Sequence, residues 1–329
     1  MAVAREVVDA PKAVDDGSVA NVAARSPWQI GWTRLRRDRV AMVSAVFIVL
    51  LVVFAVLAPL TQNLTGHQQG KKNFKYGVVD TLPVAPLHGC DNGLLSVGDK
   101  SCFVFGAANR RGNDMLVELA YGARTSLEVG IISTALTLLV AIAVGIIAGF
   151  FGGLTDSLLS RFMDLIAAFP FLLFAIAMSV AFGASLWTVI AVIVFFSWFY
   201  PARIFRSEIL SLREREFVAA ARMLGATDRR IMVRHLLPHL AGPIIVYGSL
   251  TVAAAIGFEA ALSYLGFGLP PDSPSWGRMI SDAAEGGNYR NLPHLMLFPG
   301  SLLFLTVLAF NLLGDGLRDA FDPRGGGGG

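Results

Sequence analysis

Six long apolar runs separated by polar segments constrain this chain more than anything else in it. They fall at residues 40–60, 126–149, 163–182, 186–200, 240–262 and 294–313. About 20 apolar residues cross a bilayer as a helix. Lipid offers no hydrogen-bond partner to a backbone N–H or C=O, so each run is expected to be helical. Composition agrees: 54% of residues are hydrophobic and 16% charged, against about 25% charged in ordinary soluble domains. The expected fold is all-α and polytopic, with six transmembrane helices.

Arginine placement orients the bundle. Arg34, Arg36, Arg37 and Arg39 precede the first run. Arg203, Arg206, Arg213, Arg215, Arg222, Arg229, Arg230 and Arg234 lie between the fourth and fifth, and Arg318 and Arg324 follow the sixth. With six spans these segments share one side, which the positive-inside rule makes cytoplasmic. Both termini are then expected in the cytoplasm and residues 61–125 outside it. The polar stretch 1–39 and the length of the first run indicate a signal anchor rather than a cleaved signal peptide. Residues 1–25 read as a disordered tail. Residues 26–60 read as a helix carrying Trp28, Trp32 and Leu35 on one face, then the first span. That first helix either lies in the membrane interface or simply leads into the span. The formal charge of +3 is small, and no basic run with interleaved aromatics suggests nucleic acid.

The two cysteines, Cys90 and Cys102, both fall in the outside segment. An even pair in an oxidising compartment reads as a disulfide, with two free thiols as the alternative. With only His88 nearby they make a poor zinc ligand set, so no metal site is expected.

Residues 216–238 are polar and basic although apolar runs lie on both sides. Phe217, Ala220, Ala221 and Leu224 recur at helical spacing and define one apolar face. Gly225 stops that helix, because the residue past a helix end often needs a left-handed backbone. Thr227 is placed to cap a second helix, with Asp228 in its first turn, and Pro238 closes the unit. A helix–glycine–helix knob of this kind suits docking onto a partner protein. Alternatively, the arginines only orient the chain.

Ionisable residues inside spans are costly and so are functional candidates. Glu259 is the main one: it either lines a pathway or braces the loop that follows. Asp164 reads as a structural partner of Arg161. Gly145, Gly149 and Gly153, spaced by four, allow close helix approach, here expected against a partner chain. The chain has no G-x-x-x-x-G-K-[ST] loop, no G-x-S-x-G elbow and no H-E-x-x-H helix. It is therefore expected to bind no cofactor and to catalyse nothing alone. A self-sufficient channel or carrier would need charges in several spans, and apart from Glu259 the spans hold few.

Ala219-Ala220-Ala221, Gly225, His235 and Leu237-Pro238 closely resemble the "EAA" loop of ABC-importer permeases, with Ala219 where the pattern has Glu and His235 where it has Ile. The form Glu216-Phe-Val-Ala-Ala-Ala-Arg222-Met-Leu-Gly225-Ala is similar to the dipeptide/oligopeptide branch. Gly266-Phe-Gly268, Ser275-Trp276-Gly277 and the segment from Asn311 through Asp315, Arg318 and Asp322 to Arg324 resemble further signatures of the same permeases. Residues 106–114 depart from the family turn. The lead-in helix and first span resemble those of the C-type permease subunit.

This resemblance implies a type I ABC-importer permease fold, with a core at 126–315, a coupling loop at 203–238 and a C-terminal tail at 316–329. It implies that Glu216, Ala220, Ala221, Arg222, Gly225, Arg229, His235 and Pro238 meet an ATPase. The implied partners are a second permease, two ATPase subunits or domains that hold ATP and Mg, and an extracytoplasmic substrate-binding protein. The implied setting is a prokaryotic plasma membrane and the implied cargo di- or oligopeptides, with nickel, glutathione or another small solute as the alternative. For His235 a solvated or helix-capping role stands beside pairing with an ATPase carboxylate.

Overall fold

The computed structural model describes residues 27–71, 74–79, 82–90 and 101–321. The tail expected at 1–25 and the glycine-rich end after residue 321 lie outside them. The first helices are α1 (Pro27–Leu35), α2 (Arg39–Val56), α3 (Ala58–Thr65) and α4 (Phe74–Gly77). A two-residue hairpin follows, β1 (Val78–Val79) antiparallel to β2 (Leu82–Pro83). The remaining helices are α5 (Met115–Phe151), α6 (Gly153–Ala168), α7 (Phe171–Phe182), α8 (Leu186–Ser197), α9 (Phe199–Leu212), α10 (Glu216–Met223), α11 (Asp228–Arg230), α12 (Ala241–Tyr264), α13 (Trp276–Ala284) and α14 (His294–Phe321).

Among the described residues five helical stretches are long and apolar enough to span a bilayer, and the bent pair of α6 and α7 makes a sixth when counted as one span. Their starts are chemically marked. The Asp38 carboxylate accepts the Val40 and Ala41 N–H groups at 2.8 and 3.1 Å. Asp114 does the same for Leu116 and Val117 at 2.8 and 3.3 Å. Such caps satisfy donors that a helix leaves unpaired in its first turn.

Two spans differ from expectation. The run 163–182 is not one helix. α6 ends at Ala168, Phe169 and Pro170 are extended, and α7 leaves at 81°. Proline has no N–H to continue the helix and forces the residue before it toward extended backbone. Seated on α8 and α12, α7 is held by an aromatic cluster in which Phe171 meets Phe258 at 4.3 Å and Phe196 at 5.6 Å. The run 186–200, in turn, continues through α9 as a helical stretch to Leu212. Arg203 and Arg206 therefore sit on a span rather than in the loop expected to start at 203.

α5 is the axis of the bundle, packed on α8, α9, α12 and α2. Glycine explains its approach to α9. A Cβ on Gly145 would lie 2.8 Å from the Phe205 Cβ, and one on Gly149 would lie 2.7 Å from the Ile209 Cβ. The glycine stripe thus closes two helices of the same chain, instead of the expected contact with another permease. Gly153 takes no part in it and has open space around it.

α14 packs on α12, α2, α13 and α1. Leu35 is buried against the end of α14 while Trp32 is exposed, so the residues expected to share one face of α1 meet different surroundings.

The bundle has two distinct ends. One carries the described residues of 58–114 together with 265–293 (the loop end). The other carries the inner ends of α5, α6 and α9 and residues 213–240 (the arginine end).

Candidate functional site

At the arginine end α10 leads to Gly225, whose φ of 77° is left-handed and where an added Cβ would meet nothing within 4 Å. The Thr227 hydroxyl caps the next turn at Arg230 N–H, 3.4 Å. The expected second helix is not separate. α11 passes into a π-helical stretch, Ile231–Leu236, and a 3-10 turn, Leu237–Leu240, and then α12. Pro238 accounts for the irregularity, because it removes one donor from the ladder and its ring crowds the preceding turn.

The apolar face read on α10 is split between bundle and solvent. Val218 and Ala221 are buried, whereas Phe217, Ala220 and Leu224 are exposed. Leu224 is 88% exposed and Met223 83%. Helical spacing finds an apolar face without saying what it faces. Here two small residues seat the helix and the large ones point to solvent. Glu216, Ala220, Arg222, Gly225, Arg229 and Pro238 are all exposed at this end, and His235 is half-buried. The sequence-selected set is therefore brought together, apart from Ala221, which is under the helix. Phe217 touches the His239 ring at 5.3 Å.

Arginine contacts tie this knob to the bundle, and these the sequence reading missed. The Arg222 guanidinium lies over the Phe150 ring at 5.5 Å. Arg213 donates to the Gly149 and Phe150 carbonyls at 3.1 and 3.5 Å, placing a cation on the negative end of α5. Arg206 grips Asp156 with two donors, one at 2.6 Å. Asp164 pairs with Arg203 at 2.7 Å, not with Arg161 as expected. Asp156 and Asp164 are eight residues apart on α6, which is about two turns. The signal was this same-face spacing matched against Arg203 and Arg206.

Glu259 lies deep in the loop-end half and is fully buried. Its Oε1 accepts the hydroxyls of Ser263 and Ser275, both at 2.8 Å. Its Oε2 accepts Ser126 at 3.1 Å. One carboxylate thus joins α12, α5 and the start of α13. Of the two sequence alternatives, this is the geometry of a brace on the following loop.

Beside it the Trp276 indole N–H donates to the Leu119 carbonyl at 3.1 Å. Gly122 leaves room for that ring, since a Cβ there would lie 2.8 Å from it.

Farther out a disulfide joins Cys90 and Cys102. The next residue, Phe103, is buried and stacks on His67 at 4.4 Å. His67 Nδ1 in turn meets Asp114, the cap of α5, at 2.8 Å.

Among the described residues no group of His, Cys, Asp and Glu could hold a metal ion.

This bundle has the type I ABC-importer permease fold. It is similar to a solved structure of the MetNI methionine ABC transporter in inward-facing conformations, with a TM-score of 0.52 and 18% identity over 63% of this chain and 98% of that one. Residues 141–325 match the family described as binding-protein-dependent transport system inner membrane component. Residues 26–74 match the N-terminal TM domain of oligopeptide transport permease C. The chain belongs to the first of these families and is a multi-pass membrane protein.

Its relatives are similar over about nine-tenths of their length. It is 34% identical to the oligopeptide transport system permease protein OppC of Haemophilus influenzae, over 91% of this chain and 89% of that protein. It is 35% identical to the dipeptide transport system permease protein DppC of Alkalihalophilus pseudofirmus, over 92% and 91%. It is 33% identical to the glutathione transport system permease protein GsiD of Pectobacterium atrosepticum, over 93% and 94%.

Proposed function

We propose that this chain is a permease subunit of an ATP-driven importer of di- or oligopeptides in a prokaryotic plasma membrane. It forms the pathway with a second permease and receives substrate from an extracytoplasmic binding protein. The arginine end faces the cytoplasm with both termini, and two ATPase subunits or domains, which carry ATP and Mg, dock there. The chain itself supplies no ATPase site.

The observation that carries this reading is the exposed knob around Gly225. Leu224 and Met223 stand almost fully in solvent beside exposed Glu216, Arg222 and Arg229. Large apolar side chains ringed by charge mark a protein contact rather than a finished surface. The similarity to peptide permeases over nine-tenths of each chain supports the cargo.

Closure of the ATPases would press on α10. Its buried Val218 and Ala221, with Arg222 over Phe150 and Arg213 on the last carbonyls of α5, would pass that force to α5. That helix has 37 residues, roughly 55 Å at 1.5 Å per residue, and its far end holds Trp276. The pore would then switch between inward-facing and outward-facing states.

Glutathione is the second reading for the cargo, favoured by the equally extensive similarity to glutathione permeases.

A pull-down from the native membrane, with mass spectrometry and an ATPase assay, tests the assembly. A second permease, ATPases and a binding protein are expected. A lone or homo-oligomeric chain without ATPase activity would overturn the reading. Competition of labelled dipeptide and glutathione uptake in vesicles decides the cargo.

A further inference from the structure

The short helix α1 is seated on the C-terminal end of α14. Gly31 and Leu35, about one turn apart, are both buried. A Cβ on Gly31 would lie 2.9 Å from the Phe321 ring, so glycine lets the two helices meet closely. Leu35 packs with Ala41 and Ala320. A second face of α1 stays uncovered. Trp32 is 54% exposed, and the Arg36 guanidinium lies over its ring at 5.1 Å.

α1 ends in a turn, and α2 begins at Arg39. Arg36, Arg37 and Arg39 are all exposed around that turn. None of them pairs with a carboxylate among the described residues. The carboxylate among them, Asp38, is engaged elsewhere. Its Oδ1 accepts the first N–H groups of α2, and its Oδ2 lies toward Gly316 of α14. Three guanidinia are thus held at the mouth of a span without a counter-charge from the chain. Apolar surface follows at once, since Val40 and Val43 on α2 are exposed.

Indole is amphipathic and gathers at the membrane–water boundary. Clusters of about four or more basic residues beside a span attract anionic lipid, and half-buried Arg34 is the fourth here. A guanidinium fork matches the oxygens of a phosphate. An acidic protein would meet the charges alone. Lipid would meet the charges, the indole and the apolar face of α2 that continues from them.

We propose that the turn between α1 and α2 binds the headgroups of anionic phospholipids. Arg36, Arg37 and Arg39 hold lipid phosphate, and Trp32 sits where headgroups give way to acyl chains. Because α1 is seated on α14, lipid bound there steadies the end of a helix that also packs on α12 and α2. Such a site requires only that α2 spans the bilayer, so it stands or falls apart from the importer reading.

The test is quenching of Trp32 fluorescence in the full-length chain, in nanodiscs with equal amounts of phosphatidylglycerol and phosphatidylcholine. One lipid at a time carries bromine at a shallow acyl position, and the Trp32→Phe variant is subtracted to isolate the Trp32 signal. Brominated phosphatidylglycerol should quench at least about twofold more than brominated phosphatidylcholine. Arg36→Gln, Arg37→Gln and Arg39→Gln together should abolish that preference with the melting temperature retained, whereas Lys at the same three positions should keep most of it. Wild type should lose the preference in about 1 M salt, where the Debye length falls to about 3 Å; this arm holds even if the glutamine variant misfolds. Equal quenching by the two lipids overturns the proposal, as does a preference that survives the glutamine changes or the salt. Absence of quenching by either lipid would place Trp32 in water or against protein and would sink it as well.

Discussion

The two ends of the molecule solve opposite problems. At the loop end the chain closes on itself. Glu259 has three hydroxyl donors, Trp276 is fully buried with its N–H paired, and a disulfide with the His67–Asp114 contact fastens the outer segment. At the arginine end Arg203, Arg206 and Arg213 are paired, yet the knob beyond them presents Met223, Leu224 and Phe217 to solvent. An end fastened by its own internal contacts can be rigid without a partner. An end that leaves apolar side chains uncovered is stable only because they are few, and it is complete only when something covers them. Stability and function should therefore separate along the bundle axis.

Substitutions at four sites probe that separation, taken from the largest expected effect on stability to the smallest. Glu259→Ala strands three buried hydroxyls and leaves a cavity, which should cost about 3 kcal/mol or more. The detergent-solubilised chain should melt well below wild type. Glu259→Gln keeps an acceptor for Ser263 and Ser275 and offers a donor toward Ser126, so it should lose under half as much. Equal loss in the two variants would mean that the charge itself, not the hydrogen-bond geometry, holds the brace.

Replacing Cys90 and Cys102 together by Ser should cost about 2–3 kcal/mol, mostly within the outer segment. Faster proteolysis between residues 82 and 110, with ATPase co-purification unchanged, is the expected pattern. Gly225→Asp places a side chain at a φ of 77° in open space, a backbone cost of about 1 kcal/mol. The protein should fold, and uptake should vanish. Normal uptake in a folded Gly225→Asp importer would break the assignment of the knob. Leu224→Asp should change stability by less than about 0.5 kcal/mol, as surface changes usually do, and yet release the ATPases on purification.

The sequence shows why some of this was legible and some was not. Five of the six apolar runs fall on the five long spans and the sixth on the bent pair, because backbone satisfaction in lipid leaves few choices. The break at Phe169-Pro170 was also written in the chain, but run length outweighed the proline. The face of α10 was found from periodicity, while its direction depends on which side chains α10 lays against the bundle, and that is a tertiary fact. Glu259 stood out as an intramembrane charge. Its partner Ser126 is 133 residues away, so no local pattern could name it. The same holds for Arg213 on the end of α5, a contact between distant segments. Asp164 was misassigned to a neighbour on its own helix because only local spacing was visible.

The central claim is that the arginine end alone meets the ATPases. The native cysteines are bonded to each other, so one introduced thiol is unique. Leu224→Cys and Asp272→Cys place that thiol at the two ends, both at exposed positions, and a short bifunctional cross-linker in native membranes reads out the neighbour. The account predicts an ATPase adduct from position 224 and none from position 272. An ATPase adduct from position 272, or none from 224 in an importer that still transports, would contradict it.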